Sequence, residues 1–270
     1  MKILLTGANG NFGQEFIKQS HDEIVSLNRD DWQNLEERLT DVDIVIHAAS
    51  DLRSKIFENP TDLINSNVLT TTKLLEAISP QKIKKFIFIS SCAVYGESMR
   101  TPENGPCFAT SINGIGKLLN EKIISEFCQK NKIDYKILRV FNMYGGNDNF
   151  SILSHIRRSL ENNKSFILNN DGIAQRDFVH VSDVVKILQT ILIEQIPYTH
   201  LNIGTVKSTK ISTLVEIVKR QFPELKIDVS EVDEAEYSRA DIRRLRSIES
   251  LRDYNFISIK DYLRNSFMRA

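Results

Sequence analysis

Residues 2–13 read Lys2-Ile3-Leu4-Leu5-Thr6-Gly7-Ala8-Asn9-Gly10-Asn11-Phe12-Gly13. An apolar run of β type, Lys2–Thr6, ends in three glycines spaced three apart, and a segment of helical period, Phe12–Ser20, follows. In that setting each glycine has its own task. Gly7 permits a tight turn, Gly10 lets the backbone approach a pyrophosphate, and Gly13 lets the helix pack close to the strand. The helix N-terminus then offers unpaired N–H groups to an anion. A glycine triplet alone could mark a plain turn. Its place in the first strand-to-helix turn of a β-α-β pattern is what points to dinucleotide binding.

The pattern continues along the chain. Further apolar runs fall at Glu23–Leu27, Asp43–His47, Lys85–Ser90, Tyr135–Val140 and His200–Ile203. Helical periods separate them at Leu63–Ser79, Asn113–Lys130 and Ser182–Glu194. The strand runs are continuously apolar, as in parallel strands covered on both faces. Such alternation predicts an α/β fold with a doubly wound parallel sheet. Beyond Tyr144 the pattern loosens. Helices near Phe150–Glu161, Ser212–Gln221 and Lys260–Phe267, a run Phe166–Leu168 and a strand Lys226–Val229 predict a smaller, discontinuous C-terminal lobe. The expected division is 1–147 plus about 178–205 for the nucleotide domain, and about 148–177 plus 206–270 for a substrate lobe.

Composition narrows the partners. Lys+Arg and Asp+Glu both number 35, so the net charge is zero and nothing draws the chain to nucleic acid or anionic lipid. No apolar run reaches the roughly 18 residues that span a bilayer, and the first ten residues are too short an apolar stretch for a secretory signal. Cys92, Cys107 and Cys128 lack metal-ligand spacing and read as reduced thiols in a cytoplasm. His21, His47, His155, His180 and His200 are scattered, so no metal site is expected. After the second strand come Asn28-Arg29 and then Asp30-Asp31. An acid there would accept the ribose 2′-hydroxyl of NAD(H), whereas Arg29 could pair with the 2′-phosphate of NADP(H). A solvated surface arginine is the alternative, and the balance leans to NADP(H).

Together these stretches resemble the extended short-chain dehydrogenase/reductase superfamily, the NAD(P)-dependent nucleotide-sugar epimerases, dehydratases and reductases. His47-Ala48-Ala49, Asn67-Val68 with Thr70–Ala77, Phe88–Gly96, Leu138–Gly145, Asp171–Asp183, Leu201–Gly204 and Arg239-Ala240-Asp241 carry the resemblance in order. It implies a Rossmann-type fold, a sugar-nucleotide substrate, NAD(H) or NADP(H), and a homodimer. It places Gly7, Asn9, Gly10, Asn11, Phe12, Gly13, Arg29, Asp31, Ala48, Ala49, Asn67 and Lys117 around the dinucleotide. It places Ser91, Asn142, Arg176 and Arg239 on the substrate, Arg176 near a diphosphate. A structural salt bridge between Arg176 and Asp177 is the alternative for that arginine.

One departure matters most. The family's acid/base is the tyrosine of Tyr-x-x-x-Lys, whose i, i+4 spacing sets the ammonium beside the phenol and lowers its pKa. Here Lys117 is present but its partner is Asn113, an amide that cannot ionise near neutral pH. The catalytic set implied is Ser91, Asn113 and Lys117. Three accounts stand: a substitute acid such as Ser91, or more distantly Tyr95 or Tyr144; a weakened or non-catalytic nucleotide binder; or a deliberate substitution at 113. Cys92-Ala93 occupies the place of the dehydratases' Asp-Glu pair, which argues against dehydration. The reading reached is a 4-keto reductase or 4-epimerase.

Overall fold

The computed structural model describes residues 1–51, 60–265 and 267, with the side chains of residues 29, 30, 60 and 63 outside the description. Contacts divide the chain into two compact units. The first holds Met1–Gly96, Pro106–Arg139 and Ile191–Leu201, and the second holds Glu97–Gly105, Val140–Thr190 and Asn202–Ala270.

The apolar runs form one sheet. Its strands are β1 (Lys2–Thr6), β2 (Glu23–Leu27), β3 (Ile44–His47), β4 (Lys85–Ser91), β5 (Asp134–Val140) and β6 (His200–Ile203). Their order is β6-β5-β4-β3-β1-β2. β1 pairs in parallel with both β2 and β3, and β3 with β4. Ile3, Leu4, Leu5, Val45, Ile46, Phe86, Ile87 and Phe88 are wholly buried, which is why these runs carry no polar alternation. β2 lies at the sheet edge and is mostly half-buried. Leu4, Val45, Phe86 and Phe88 pack with Ile124 and Cys128 of the helix Ile112–Asn131; each large side chain so covered contributes roughly 1.5–3 kcal/mol.

The winding fixes where a ligand can sit. The chain leaves β1, returns beside it as β2, then crosses to the other side as β3. The strand ends diverge at that reversal, and crevices at such switch points bind ligands in open α/β sheets. Gly7 follows β1 there, and Ala48-Ala49 follow β3.

The helix expected over Leu63–Ser79 is broken. It runs as Pro60–Leu63, a wider π-type turn Ile64–Val68, and Leu69–Ala77. Such turns are rare and concentrate at functional sites.

The second unit contains strands that the sequence pattern did not disclose. Ser208–Lys210, Gln175–Asp177, Tyr237–Ala240 and Ser98–Thr101 form a four-stranded sheet in that order. Met143–Tyr144 pairs with Val179–His180. Phe166–Asn169 pairs with Ile227–Ser230, where the sequence pattern does predict a run and a strand. Pieces of two to four residues are too short to show a period. Leu153, Ile156, Phe178, Leu214, Val218 and Leu263 form this unit's core. Among the described residues no helix is long and apolar enough to cross a membrane.

Candidate active site

The glycine loop is built as its sequence implies. Gly7 has φ +74°, and a Cβ there would lie 2.8 Å from the Ala49 amide nitrogen. A Cβ on Gly13 would lie 2.4 Å from the Gly7 carbonyl oxygen, so helix and strand touch backbone to backbone. Gly10 differs: its Cβ would meet only the Gly7 oxygen, at 3.2 Å, and otherwise open space. Gly10 caps the helix Asn11–Gln19. The first-turn N–H groups of Asn11, Phe12 and Gly13 have no helical acceptor. The shape fits a pyrophosphate, which needs backbone donors and no side chain in the way. Asn9 is exposed, its carbonyl accepting from Gln14 Nε2 at 2.9 Å, and Phe12 is buried against Phe16.

Behind the loop, a chain of hydrogen bonds fixes the end of β3. Thr6 Oγ1 accepts from the amides of Ala48 (3.1 Å) and Ala49 (3.0 Å). Both lone pairs are then used, so its hydroxyl proton goes to His47 Nδ1, 2.7 Å away. His47 is therefore the neutral Nε2–H form, donating to Thr71 Oγ1 at 2.9 Å, and Thr71 donates to the Asn67 carbonyl at 2.8 Å. Burial, and then the Lys117 charge, push the His47 pKa down to about 3, which agrees with that tautomer. Asn67 spends its amide on the backbone of Asp51, accepting from its N–H at 2.6 Å and donating to its carbonyl at 3.2 Å.

At the end of β2, Asp31 accepts from the Asn28 amide at 2.8 Å and pairs with Arg38 at 2.9 Å. The side chain of Arg29 lies outside the described residues.

The second cluster joins β4 to the helix Ile112–Asn131. Ser91 caps the short turn Cys92–Tyr95, its Oγ accepting from the Ala93 amide at 3.2 Å. Its own proton remains available to an incoming oxygen. A Cβ on Gly114 would fall 2.3 Å from the Ala93 carbonyl oxygen, so the helix start presses directly on the turn after Ser91. Asn113, next to Gly114, is half-buried, and its amide makes no hydrogen bond among the described residues. One turn on, Lys117 is buried. Its Nζ donates to the Ile89 carbonyl at 2.8 Å and lies 4.8 Å from the centre of the Phe88 ring. Burial lowers its pKa to about 8, against a weaker upward pull from Glu121. It stays mostly protonated at neutral pH.

Glu121 and Arg139 were not singled out by the sequence reading. Glu121 accepts from Ser90 Oγ at 2.5 Å and from Arg139 at 2.7 Å, and Arg139 donates to the Tyr95 hydroxyl at 2.9 Å. This buried network ties the helix to the end of β4. An arginine beside Val140 at the buried end of β5 was the available signal, since buried charges require partners. Tyr95 is therefore committed to Arg139. Tyr144 is equally committed: it is buried and its hydroxyl donates to the Ile257 carbonyl at 2.9 Å, while burial drives its pKa well above the phenol range. Tyr144 is therefore not poised to exchange a proton near neutral pH.

In the second unit, Asn142 donates to the Asp177 carbonyl (2.8 Å) and to Ser238 Oγ (3.2 Å). Arg239 Nε donates to the Val206 carbonyl at 2.9 Å. Arg176 pairs with Glu234 at 2.8 Å. The wholly buried Asp177 accepts instead from Thr205, Val206 and Ala240 amides. Among the described residues no group of histidines, cysteines and acids could hold a metal, and the three cysteines form no disulfide.

Comparison with known proteins agrees with this architecture. A Methanocaldococcus jannaschii protein provisionally named UDP-glucose 4-epimerase is 34% identical over 199 residues, 70% of this chain and 65% of that protein. UDP-glucose 4-epimerase of Mycoplasma genitalium is 26% identical over 276 residues, covering 82% of this chain and 81% of its own. The structure of UDP-glucuronic acid 4-epimerase from Bacillus cereus with UDP-glucuronic acid and NAD shares the fold, with a TM-score of 0.88 at 24% identity over 99% of this chain and 98% of that one. The sequence profile of the NAD dependent epimerase/dehydratase family matches residues 3–204. With three quarters of its length under that profile and the glycine loop, switch point and Lys117 helix in place, the chain belongs to the NAD dependent epimerase/dehydratase family.

Proposed function

We propose that the chain is an NAD(P)-dependent nucleotide-sugar oxidoreductase of the 4-epimerase or 4-keto reductase type whose proton relay is weakened at Asn113. The carrying observation is the Ser91 turn packed against a helix that presents an amide, Asn113, and one turn later a buried cation, Lys117. The relatives' names favour the 4-epimerase type and UDP as the nucleotide. The dinucleotide belongs to 1–147 plus about 178–205, and the sugar nucleotide to about 148–177 plus 206–270. A bound nicotinamide supplies or accepts hydride at the sugar C4. Ser91 holds the 4-oxygen through its hydroxyl proton. Lys117 anchors the nicotinamide ribose and keeps positive potential beside the reacting oxygen. Asn113 orients the substrate by hydrogen bonds but relays no proton, so proton exchange depends on the weaker Ser91 hydroxyl or on water. Losing a positioned acid/base costs about 10²–10⁴ in rate. Asn113 also favours a second reading, a protein that binds a sugar nucleotide without turning it over.

The test is single-turnover absorbance at the reduced-nicotinamide band, with NAD(H) or NADP(H) and a panel of UDP-hexoses and their 4-keto forms. Slow redox change supports the enzyme, and binding without redox change supports the second reading. Cofactor choice rests on Arg29 for NADP(H), while the Bacillus cereus structure was solved with NAD. Arg29→Ala should weaken NADPH binding by about 1–3 kcal/mol and NADH binding far less; equal losses would remove the case for NADP(H). A homodimer, implied by the resemblance, and a cytoplasmic location, read from the reduced cysteines, belong to the same proposal; light scattering checks the first and cell fractionation the second.

A further inference from the structure

Arg176 and Glu234 together hold information that the family reading does not use. Arg176 sits on the strand Gln175–Asp177, and its side chain is only 14% exposed. All four N–H groups of its terminal nitrogens are engaged. One nitrogen donates to the carbonyls of Gln175 (3.3 Å) and Glu236 (3.1 Å). The other donates to Glu234 Oε2 (2.8 Å) and to the Ala235 carbonyl (2.6 Å). A phosphate can therefore reach either nitrogen only by replacing an acceptor already there. Three of these four acceptors come from one short stretch, residues 234–236.

That stretch is also held at its other end, by different chemistry. The Asn170 side chain donates to the Val232 carbonyl at 2.8 Å and accepts from the Val232 amide at 3.0 Å. This two-point amide clamp is neutral and does not compete with an anion. The Glu234 carboxylate does compete, because, like a phosphate, it offers a guanidinium negatively charged oxygen acceptors. Its pair with Arg176 is partly exposed, at 14% and 28%, so displacing it does not strand a charge in the core. The Arg139–Glu121 pair, at 5% and 2%, could not be opened in this way.

We infer that Glu234 is an internal competitor at Arg176, occupying the guanidinium until a diphosphate-bearing ligand displaces it, and so a residue that sets ligand affinity. The inference rests on the reading of Arg176 as the diphosphate residue. Binding of UDP then includes the release of Glu234, while the Asn170 clamp keeps the segment anchored nearby. The Glu234–Arg176 contact weakens diphosphate binding relative to a chain that lacks the acid.

The experiment is calorimetric titration of UDP into the wild type, Glu234→Gln, Glu234→Ala, Arg176→Gln and the Glu234→Gln/Arg176→Gln double variant, with thermal melts to verify folding. Glutamine keeps the shape and removes the charge, so Glu234→Gln should bind UDP about five- to tenfold more tightly, and Glu234→Ala at least as tightly. Arg176→Gln should bind UDP more weakly, and adding Glu234→Gln to it should change nothing further. If Arg176→Gln weakens UDP binding but neither Glu234 variant tightens it, the competitor role is overturned and Arg176 keeps its assignment. If Arg176→Gln leaves UDP binding unchanged, or no variant binds UDP, the diphosphate reading is overturned and the competitor role with it.

Discussion

The glycine loop and the head of the helix Ile112–Asn131 are built alike and finished differently. In each, a helix start is pressed onto the residues that follow a strand, and a glycine makes room for a carbonyl. Gly13 faces the Gly7 oxygen at 2.4 Å, and Gly114 faces the Ala93 oxygen at 2.3 Å, measured from the Cβ each lacks. In the loop, the groups offered to a ligand are backbone N–H donors, which depend on conformation and not on any one side chain. At the second helix, the chemistry depends on what projects from position 113. The loop therefore keeps its geometry whatever its side chains, while the second site offers at position 113 an amide that cannot ionise near neutral pH. Binding and proton transfer are separable because one is a property of the backbone and the other of a single side chain.

The largest effects test the loop itself. Gly13→Val places a branched Cβ against backbone that cannot yield, and should destabilise the fold by about 2–4 kcal/mol, read as a fall in the urea midpoint. Gly10→Val should leave the midpoint near wild type and abolish calorimetric NAD(H) and NADP(H) binding. A Gly10→Val protein that still binds dinucleotide would break the assignment of the loop, and so would a wild type that binds neither.

Lys117 sharpens the comparison through pH. Native Lys117 loses its proton from about 8 upward, whereas an unfolded lysine keeps it to 10.5. The unfolded state holds more protons across that window, so this residue makes stability rise with pH there, by about 3 kcal/mol. Urea melts of wild type and Lys117→Met across the window should differ by that rise. Parallel curves would show that the lysine is not charged in a desolvated site.

Next comes position 113. Asn113→Tyr restores the phenol one turn before Lys117 and should raise single-turnover redox rates at least about tenfold on the true substrate. A wild type already turning over at rates normal for the family would show that the relay runs elsewhere. A tyrosine variant that binds more weakly and stays silent would show that the amide is fitted to the ligand.

The smallest effect lies in the second unit. Gly7 takes φ +74° without strain, but Val206 holds φ +68° with a β-branched side chain, pinned by Asp177 accepting from its amide at 2.8 Å. Val206→Gly should relieve that strain and gain about 1 kcal/mol after the entropic cost of glycine. A loss of stability would mean that the valine packs more usefully than its backbone suffers.

Much of the first unit was legible before any coordinates, because its strands are long, buried on both faces and marked by continuous apolar runs. The π-type turn at Ile64–Val68 was not, since nothing local distinguishes it from helix; it is secured by Asn67 reaching Asp51, sixteen residues away. The four-stranded sheet of the second unit was missed for a related reason. Strands of three or four residues carry no period, and their pairing is decided by partners as distant as Ser98 and Ser238.

By itself the sequence determined the doubly wound class, the glycine loop at the switch point, and the absence of an ionisable group at position 113. Each is written in neighbouring residues, in spacing or in chemical identity. Tertiary structure alone decided that His47 is a neutral strut beneath Ala48 and Ala49, that Tyr95 and Tyr144 are already committed, and that Arg176 faces Glu234 rather than Asp177. Those outcomes depend on which group is nearest after folding, and on how much water is left around it, and neither is a property of the residues in order.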